Sequence, residues 1–286
     1  MKHPNEIATE EAAMSTLVQL TSAFEGIASM RIAQIKDQVL QSSKFFDELW
    51  NIYSQLRVSK DFGFGRETVK VAIDKELYVI ITAEGGLSGD IDQKLVQLML
   101  RTYDKDKVDV IVIGHHGAMQ LAQRGISYKK YFKMPQKDRN INVTPISLEV
   151  QQYSSTKIFY QQYISLMVQD VRRIELSSAV KKLGDTSDKA DEIISEANYI
   201  FEPSSYAVAA HLERSMMQIA ISQLILESKL AQYASRFRAM SASHKRSDES
   251  RNDLHMEYNR ARRGLKDERL KEIVNGLKKA RVGAGA

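Results

Sequence analysis

Apolar residues recur every three or four positions over long stretches at the two ends of the chain. In the N-terminal block, from about residue 9 to 56, no proline follows Pro4. The apolar or small residues of this stripe are Leu17, Leu20, Phe24, Ala28, Ile32, Ile35, Val39, Ser42, Phe46, Leu49, Tyr53 and Leu56. The spacing is near the 3.5-residue repeat of a coiled coil, with a stutter at the doubled step from Leu20 to Ala28, and predicts one long helix.

The C-terminal block carries a longer stripe. Steps of four and three from Leu212 give Met216, Ile219, Gln223, Leu226, Leu230, Tyr233, Phe237, Met240, His244, Ser247, Arg251, Leu254, Tyr258, Ala261 and Leu265. His244, Ser247 and Arg251 interrupt this stripe with polar residues. We expect that neighbouring structure covers the helix there, or that the helix pairing is locally looser. A helix over residues 205–277 would be about 110 Å long. Such a helix needs a partner, so the pattern predicts an antiparallel coiled coil with the N-terminal helix.

Between these blocks the period changes to that of strands. "TVKVAI" and "LYVIIT" predict strands on either side of a turn at residues 74–76, and "VDVIVIG" predicts a strand buried on both faces. Further strands are predicted at "TKIFYQQYI" and "VQDVRRIELS", an amphipathic helix at residues 90–103 and a loop at residues 181–191. The order strand, helix, strand is typical of an α/β unit.

The predicted fold class is therefore α/β, with a long antiparallel coiled coil of the terminal helices and a central Rossmann-like α/β domain. We expect the coiled-coil helices at residues 1–58 and 204–286, and the α/β domain at residues 59–203.

Composition narrows the possible classes of protein. The chain has no cysteine, which excludes disulfides and thiolate metal sites. No stretch approaches the roughly 20 apolar residues that a membrane helix needs. The N-terminus carries Glu6, Glu10 and Glu11 without a basic lead-in, so we expect neither a secretory signal nor a transit peptide.

The net charge of +5 is concentrated near the C-terminus. From Arg251 to Arg281 there are ten Lys or Arg and five Asp or Glu. Such a tail suits an acidic protein surface, nucleic acid or anionic lipid. Nucleic-acid binding usually adds interleaved aromatic residues, and Tyr258 is the one aromatic residue near the basic face, so we expect no nucleic-acid partner.

The glycine loop "GGLSG" at residues 85–89 follows a strand and precedes a helix, where phosphates are often bound. It lacks the Gly-Lys-Ser/Thr ending of a P-loop, which favours a structural turn formed by Gly86, Leu87 and Gly89.

Other candidate groups also favour structural roles. Asp90 is better explained as a helix cap than as one of a catalytic carboxylate pair with Asp92. His115 and His116 are adjacent and lack metal-ligand spacing. We therefore expect no catalytic residue, cofactor or metal ion.

Four segments resemble the gamma subunit of rotary F-type ATP synthases. In the C-terminal helix the matching residues are Glu227, Ser228, Arg236, Ala239, Met240, Tyr258, Asn259, Arg260, Arg262, Glu268, Glu272, Ile273 and Gly276. "YIFEPSS" at residues 199–205 matches the Glu-Pro signature that precedes this helix. "ITAEGGLSGDI" at residues 81–91 is similar to the family's glycine loop, with Ser88 where cysteine is usual. In the N-terminal helix, Thr21, Ala28 and Arg31 match.

This resemblance implies a non-catalytic central shaft that couples ion-driven rotation to ATP synthesis or hydrolysis. The implied partners are the alpha and beta subunits, the epsilon subunit and the c-ring, with membrane contact only through the complex. The implied location is peripheral, on the cytoplasmic face of the cell membrane. The residues expected at the partner interface are Arg236, Met240, Tyr258, Asn259, Arg262, Arg263 and Arg269.

Departures from the family pattern keep alternatives open. "TEEAAMSTLVQL" at residues 9–20 replaces a basic run, and Phe24 and Gly26 replace paired methionines. The chain therefore also fits the shaft of a specialised F-type-like ATPase that is not coupled to ATP synthesis, or a free coiled-coil scaffold. A nucleotide-binding enzyme built on "GGLSG" is disfavoured by the missing lysine.

Overall fold

The computed structural model describes residues 2–55, 73–139, 141–176, 200, 202 and 204–283. Its elements are, in chain order, α1 (Pro4–Gln55), β1 (Ile73–Ile81), α2 (Ile91–Leu100), β2 (Val108–Ile113), α3 (His115–Gln123), β3 (Lys130–Phe132), α4 (Thr144–Val150), β4 (Tyr153–Tyr163), β5 (Gln169–Glu175) and α5 (Ser205–Gly283). The predicted fold class is confirmed. The predicted domain boundaries after residues 58 and 203, and the predicted loop at residues 181–191, lie outside the described residues.

The chain divides into two compact units. One contains residues 27–238, and the other combines residues 1–26 with residues 239–286. Within the described part of the chain, no helix combines the length and the apolarity needed to cross a membrane.

In the unit of residues 27–238, five strands form one sheet in the order β3-β2-β1-β4-β5. The first four are parallel, and β5 pairs antiparallel with β4. The chain runs from β1 outward to β2 and β3 and then returns to place β4 on the other side of β1. In open α/β sheets, this reversal creates a crevice at the carboxyl ends of the strands.

The central strands are buried on both faces, as the continuous apolar run of β2 predicted. Leu77 and Val79 of β1 pack on one face with Phe46 of α1 and Ile221 of α5. Tyr78 and Ile80 pack on the other face with α2 and α3. Alternation along β1 therefore serves two separate apolar layers, one of which includes the long helices.

The predicted turn at residues 74–76 is wrong. Asp74, Lys75 and Glu76 lie inside β1, and the pairing with β4 shifts register between Ile73 and Glu76. A register irregularity accommodates these polar residues at the strand's start without reversing the chain.

Gly114 connects β2 to α3 where a side chain cannot fit. Its φ is +95°, and an added Cβ would lie 2.1 Å from the carbonyl oxygen of Thr82. The Thr82 hydroxyl donates to the carbonyl oxygen of Ile113 at 3.0 Å and accepts from the Gly117 amide at 2.9 Å. This close approach fixes the start of α3 against the end of β1.

The predicted helix pairing is present between residues 27 and 238. Ile35 of α1 packs with Leu226 and Leu230 of α5. The Gln223 amide donates to the Ser43 hydroxyl at 2.8 Å, and the Tyr53 hydroxyl donates to Glu213 at 2.9 Å. As the residue number rises in α1, the partner's number falls in α5, so the helices run antiparallel.

In the unit formed by both chain ends, the pairing is also antiparallel but its apolar seam is incomplete. His244 lies 3.2 Å from the Val18 carbonyl oxygen through Nδ1, and His255 lies 2.9 Å from Glu11. His244, Ser247 and Arg251 are half-buried, and Arg251 pairs with Asp248 at 2.7 Å. The seam thus continues through these positions as a polar segment.

The N-terminal part of the predicted α1 stripe is wrong. Leu17, Leu20 and Phe24 are 42%, 50% and 39% exposed. The less exposed positions include Pro4, Ile7, Glu11, Met14, Val18 and Thr21. These follow strict steps of four and three, so α1 keeps one register without the stutter that local apolarity indicated.

Replacing Phe46 by alanine should destabilise the chain by about 3–5 kcal/mol, because it removes a fully buried ring from the layer between α1 and the sheet. The measurement is the urea midpoint followed by circular dichroism. The neighbouring Phe45 is 54% exposed, so Phe45→Ala is the matched control and should change the free energy of unfolding by less than about 0.5 kcal/mol. Equal midpoints for the two variants would contradict the packing described here.

Candidate functional site

The candidate site lies where α5 crosses the carboxyl edge of the sheet. The loop after β1 turns through Leu87 and Gly89, whose φ values are 69° and 65°. Positive φ suits glycine and strains leucine. Leu87 is nevertheless 54% exposed, so burial of its side chain does not explain this conformation.

Two residues of α5 hold this loop. The Ser235 hydroxyl donates to the Ser88 carbonyl oxygen at 2.7 Å. Nη2 of Arg236 donates to the Gly86 carbonyl oxygen at 3.1 Å, and the guanidinium lies over the Tyr233 ring. The carbonyl oxygens of Gly86 and Ser88 are therefore bound by the helix.

A second polar contact lies deeper and passes through Asp92, whose side chain is 1% exposed. Its carboxylate accepts hydrogen bonds from the Ala83 amide at 3.3 Å, from Nε2 of Gln161 at 2.7 Å and from Nδ1 of His116 at 2.7 Å. A buried carboxylate is tolerated only with donors of this kind.

Gln161 extends this contact to α5. Its Oε1 accepts from the Ser228 hydroxyl, and from Nε2 of Gln232 at 3.2 Å. Its backbone amide donates to the same Ser228 hydroxyl at 3.1 Å. We call His116, Asp92, Gln161, Ser228 and Gln232 the buried relay, because they form one hydrogen-bonded chain from α3 to α5.

The open end of the relay is His116, whose side chain is 25% exposed. The hydrogen bond to Asp92 raises the pKa of His116, burial opposes this, and the charge of Asp92 adds to the increase. Asp90 occupies the N-cap position of α2, but its side chain makes no capping hydrogen bond and pairs with Lys94 at 2.9 Å instead. The predicted capping role of Asp90 is therefore wrong.

An ion-pair cluster joins the two long helices beside the sheet. Lys229 of α5 pairs with Asp138 and donates to the Pro135 carbonyl oxygen at 2.8 Å. Arg31 of α1 lies 3.6 Å from the same carboxylate. One aspartate thus bridges α1, α5 and the segment after β3.

A cavity of about 410 Å³ lies between this cluster and the glycine loop, and its lining includes Arg31, Glu84, Gly85, Lys229, Tyr233 and Arg236. Asp138 neutralises Lys229, and Glu84 adds a second negative charge that accepts from the Met134 amide at 3.0 Å. The three cations Arg31, Lys229 and Arg236 outnumber the two carboxylates by one, so most of the positive charge at the cavity is compensated within the chain. Among the described residues, no group of three His, Asp or Glu side chains is placed to hold a metal ion.

The residues expected at a partner interface differ in their surroundings. Met240 is 7% exposed, and Tyr258 and Asn259 are half-buried. Arg262, Arg263 and Arg269 are exposed, and within the described ranges none of the three forms an ion pair. Arg263 donates only to the carbonyl oxygen of Asn259 in its own helix, at 3.3 Å.

Sequence reasoning missed the buried relay. Asp92 drew attention only as a neighbour of Asp90, and Gln161 lies inside a strand. One signal was available: Ser228, Gln232 and Ser235 recur at steps of four and three in α5. That spacing places three short polar side chains on one helix face.

Comparison with protein families gives a match along most of the chain. The family model described as ATP synthase matches residues 5–279. The chain is similar to the ATP synthase gamma chain of Mycoplasmoides gallisepticum, with 23% identity over 273 residues, 91% of this chain and 94% of that protein. It is also similar to the ATP synthase gamma chain of Cytophaga hutchinsonii, with 22% identity over 287 residues, 95% of this chain and 96% of that protein.

Solved structures show the same fold at low sequence identity. A chain in the Euglena gracilis mitochondrial ATP synthase structure with OSCP, F1 and c-ring matches with a TM-score of 0.65 and 14% identity, covering 99% of this chain and 97% of that one. A chain of the Tetrahymena thermophila mitochondrial ATP synthase central stalk and c-ring matches with a TM-score of 0.56 and 16% identity, covering 78% and 98%.

The left-handed backbone at residue 87 gives a stability test. Leu87→Gly should be more stable than Leu87→Ala by about 1 kcal/mol, because glycine adopts positive φ without strain and alanine does not. Both variants remove the same exposed side chain, so their difference in urea midpoint isolates the backbone term. An alanine variant at least as stable as the glycine variant would show that the loop carries no strain at this position.

Proposed function

The chain belongs to the ATP synthase gamma-chain family, and we propose that it couples ion-driven rotation to ATP synthesis or hydrolysis in the alpha and beta subunits. It is the central rotor shaft of an F-type ATP synthase. The observation that carries this function is the family match over residues 5–279, which includes both long helices and the α/β domain.

The chain is a non-catalytic subunit, and the catalytic sites lie on other chains. The site geometry agrees with a mechanical role, because the glycine loop and the carboxylate of Asp92 are bound by residues of the same chain. A shaft acts by offering a different face to each catalytic subunit as it turns. Each orientation then favours a different conformation of each catalytic subunit, which is a population shift imposed by contact.

The partners of the shaft are the alpha and beta subunits, the epsilon subunit and the c-ring. The chain is part of the F1 portion of a membrane-bound complex. Its finer location is the cytoplasmic face of the cell membrane, as a peripheral subunit. Bacterial gamma chains among the relatives support this location.

Within the unit formed by the chain ends, the basic face of α5 is the surface that meets the catalytic ring. Arg262, Arg263 and Arg269 point to acidic groups of another chain, because none has an ionic partner among the described residues. Tyr258, a seam position, and its neighbour Asn259 are half-buried beside this face. Met240 and Arg236 contribute by packing and by holding the glycine loop.

The experiment that tests the function is native mass spectrometry of the complex purified through a tag on this chain. We expect one copy of the chain beside the larger alpha and beta subunits, and ATP hydrolysis by that complex. The purified chain alone should hydrolyse no ATP. Purification without alpha and beta subunits would favour a free coiled-coil scaffold, and turnover by the pure chain would contradict a non-catalytic role.

Reversing two charges on the basic face should weaken rotary coupling or assembly. In the variant Arg262→Glu with Arg263→Glu, repulsion from acidic catalytic-subunit loops replaces attraction in a gap that is screened less than an open surface. Single exposed ion pairs contribute only about 0–1 kcal/mol, so two are changed together. The measurements are ATP hydrolysis and torque of the purified complex, and helix content of the chain.

The matched control is Lys105→Glu with Arg124→Glu, which makes the same change of net charge at exposed positions in the α/β domain. Among the described residues neither side chain forms an ion pair, and Arg124, which directly follows α3, donates to a carbonyl oxygen of that helix, as Arg263 does within its own. Raising the salt concentration should reduce the difference between the variants. Unchanged hydrolysis and torque at low salt would refute the electrostatic contact, and loss of helix content would show that the arginines stabilise the coiled coil itself.

A further inference from the structure

The buried relay is not needed to form the glycine turn, to cap the helices or to pack the apolar layers. The carboxylate of Asp92 is buried and bound by groups of the same chain, although hydrophobic residues of similar size often pack as well as a buried charge. A buried carboxylate with three donors is costly to disturb, since loss of one donor leaves the charge partly unsatisfied. The relay orients its side chains, because each hydrogen bond determines which atom of the next group donates and which accepts.

Gln161 is the directional component. Its amide group has one donor end and one acceptor end, and the donor end is committed to Asp92 at 2.7 Å. The acceptor end must therefore face α5, where Ser228 and Gln232 both donate to it. A neutral or absent group at position 92 would release this preference, and the amide could turn over.

We propose that Asp92, Gln161 and Ser228 are positioning residues for rotary coupling, because they fix the place where α5 crosses the sheet. The strength of this contact depends on whether His116 is protonated. This inference rests on the proposed shaft function, because torque passed between the α/β domain and α5 must cross their contact. Hydrogen bonds of the polar residues fix the position of α5 along the sheet. The apolar layer beside them opposes separation of α5 from the sheet more than it opposes sliding of one past the other.

Protonated His116 compensates the charge of Asp92 at 2.7 Å. Because the pKa of His116 is raised in the folded chain, its stabilising effect is fully present below the unfolded value of about 6.5. The effect is lost as the pH rises through the higher folded pKa. The neutral ring still donates a hydrogen bond, but the buried carboxylate then lacks its compensating charge.

Other charged groups on the surrounding elements are mostly compensated by neighbours other than His116. Asp90 of α2 pairs with Lys94, Asp170 of β5 with Arg172, Glu76 with Lys157 of β4, and Lys229 of α5 with Asp138. The remaining ionisable groups on these elements include His115 of α3, Arg124 directly after α3, Glu84 after β1, Glu227, Arg236 and Arg238 of α5, and Arg173 and Glu175 of β5. The contribution to the His116 pKa from charge comes from Asp92.

The first test is Ser228→Ala in the assembled complex, with Ser222→Ala as the matched control in the same helix. Removal of the Ser228 hydroxyl should lower hydrogen-exchange protection of α5 residues 224–238 roughly 2- to 10-fold. We expect the complex to assemble and hydrolyse ATP, while ATP-driven ion pumping per ATP falls. The control should match the parent in both measurements.

The second test separates positioning from simple stability. His116→Asn retains a side-chain donor near Asp92 but cannot titrate. In the parent, protection of residues 224–238, corrected for intrinsic exchange, should fall as the pH rises through the His116 pKa, and His116→Asn should show a flat profile.

The outcomes distinguish this inference from the shaft function. If Ser228→Ala pumps and exchanges like the parent, or His116→Asn retains the parent's pH profile, the positioning role is overturned while the shaft function stands. If Ser228→Ala does not assemble, exchange on the purified full chain decides: protection lost only near α5 supports the relay, and global loss contradicts it. Failure of the parent chain to assemble would overturn both proposals.

Discussion

The crossing of α5 over the carboxyl edge of the sheet is the contact on which the rest of the molecule depends. The strand order leaves a crevice between β1 and β4, and buried polar groups at its floor need partners. In this chain the partners come from α5, whose Ser228, Gln232 and Ser235 face the crevice. A fold that commonly binds ligands at this place here binds its own helix. The helix is thereby held at a defined register, which apolar packing alone specifies poorly.

The apolar layer complements this polar contact. Phe46 of α1 and Met216, Ala220 and Ile221 of α5 cover one face of the sheet, so both long helices are anchored on the same side. The bridge from Asp138 to Arg31 and Lys229 then ties the helices to each other beside that layer. Close packing provides stability, and the few buried polar bonds determine which arrangement is stable.

Much of the fold followed from sequence periodicity, because the change from a 3.5-residue repeat to strand-like runs is a local signal. The register of the N-terminal part of α1 did not follow, since Leu17, Leu20 and Phe24 are locally the better apolar stripe and yet lie exposed. The turn predicted at residues 74–76 failed for a related reason, since polar residues at a strand start resemble a turn until the pairing with β4 is known. The relay depended on distant contacts: Asp92 and Gln161 are 69 positions apart, and no local pattern joins them.

The antiparallel pairing of the terminal helices has a consequence for biosynthesis. Glu11 meets His255 across 244 positions and Ser43 meets Gln223 across 180, whereas β1, β2 and β3 pair with close neighbours in the sequence. On the ribosome α1 emerges long before α5, so the apolar residues of α1 stay unpaired with α5 while the sheet strands are synthesised. A chain truncated before residue 205 would contain α1 and the sheet strands but lack α5. Such a chain would expose the apolar face of α1 and be prone to aggregation. Completion of α5 is therefore the step that commits the nascent chain to its native state.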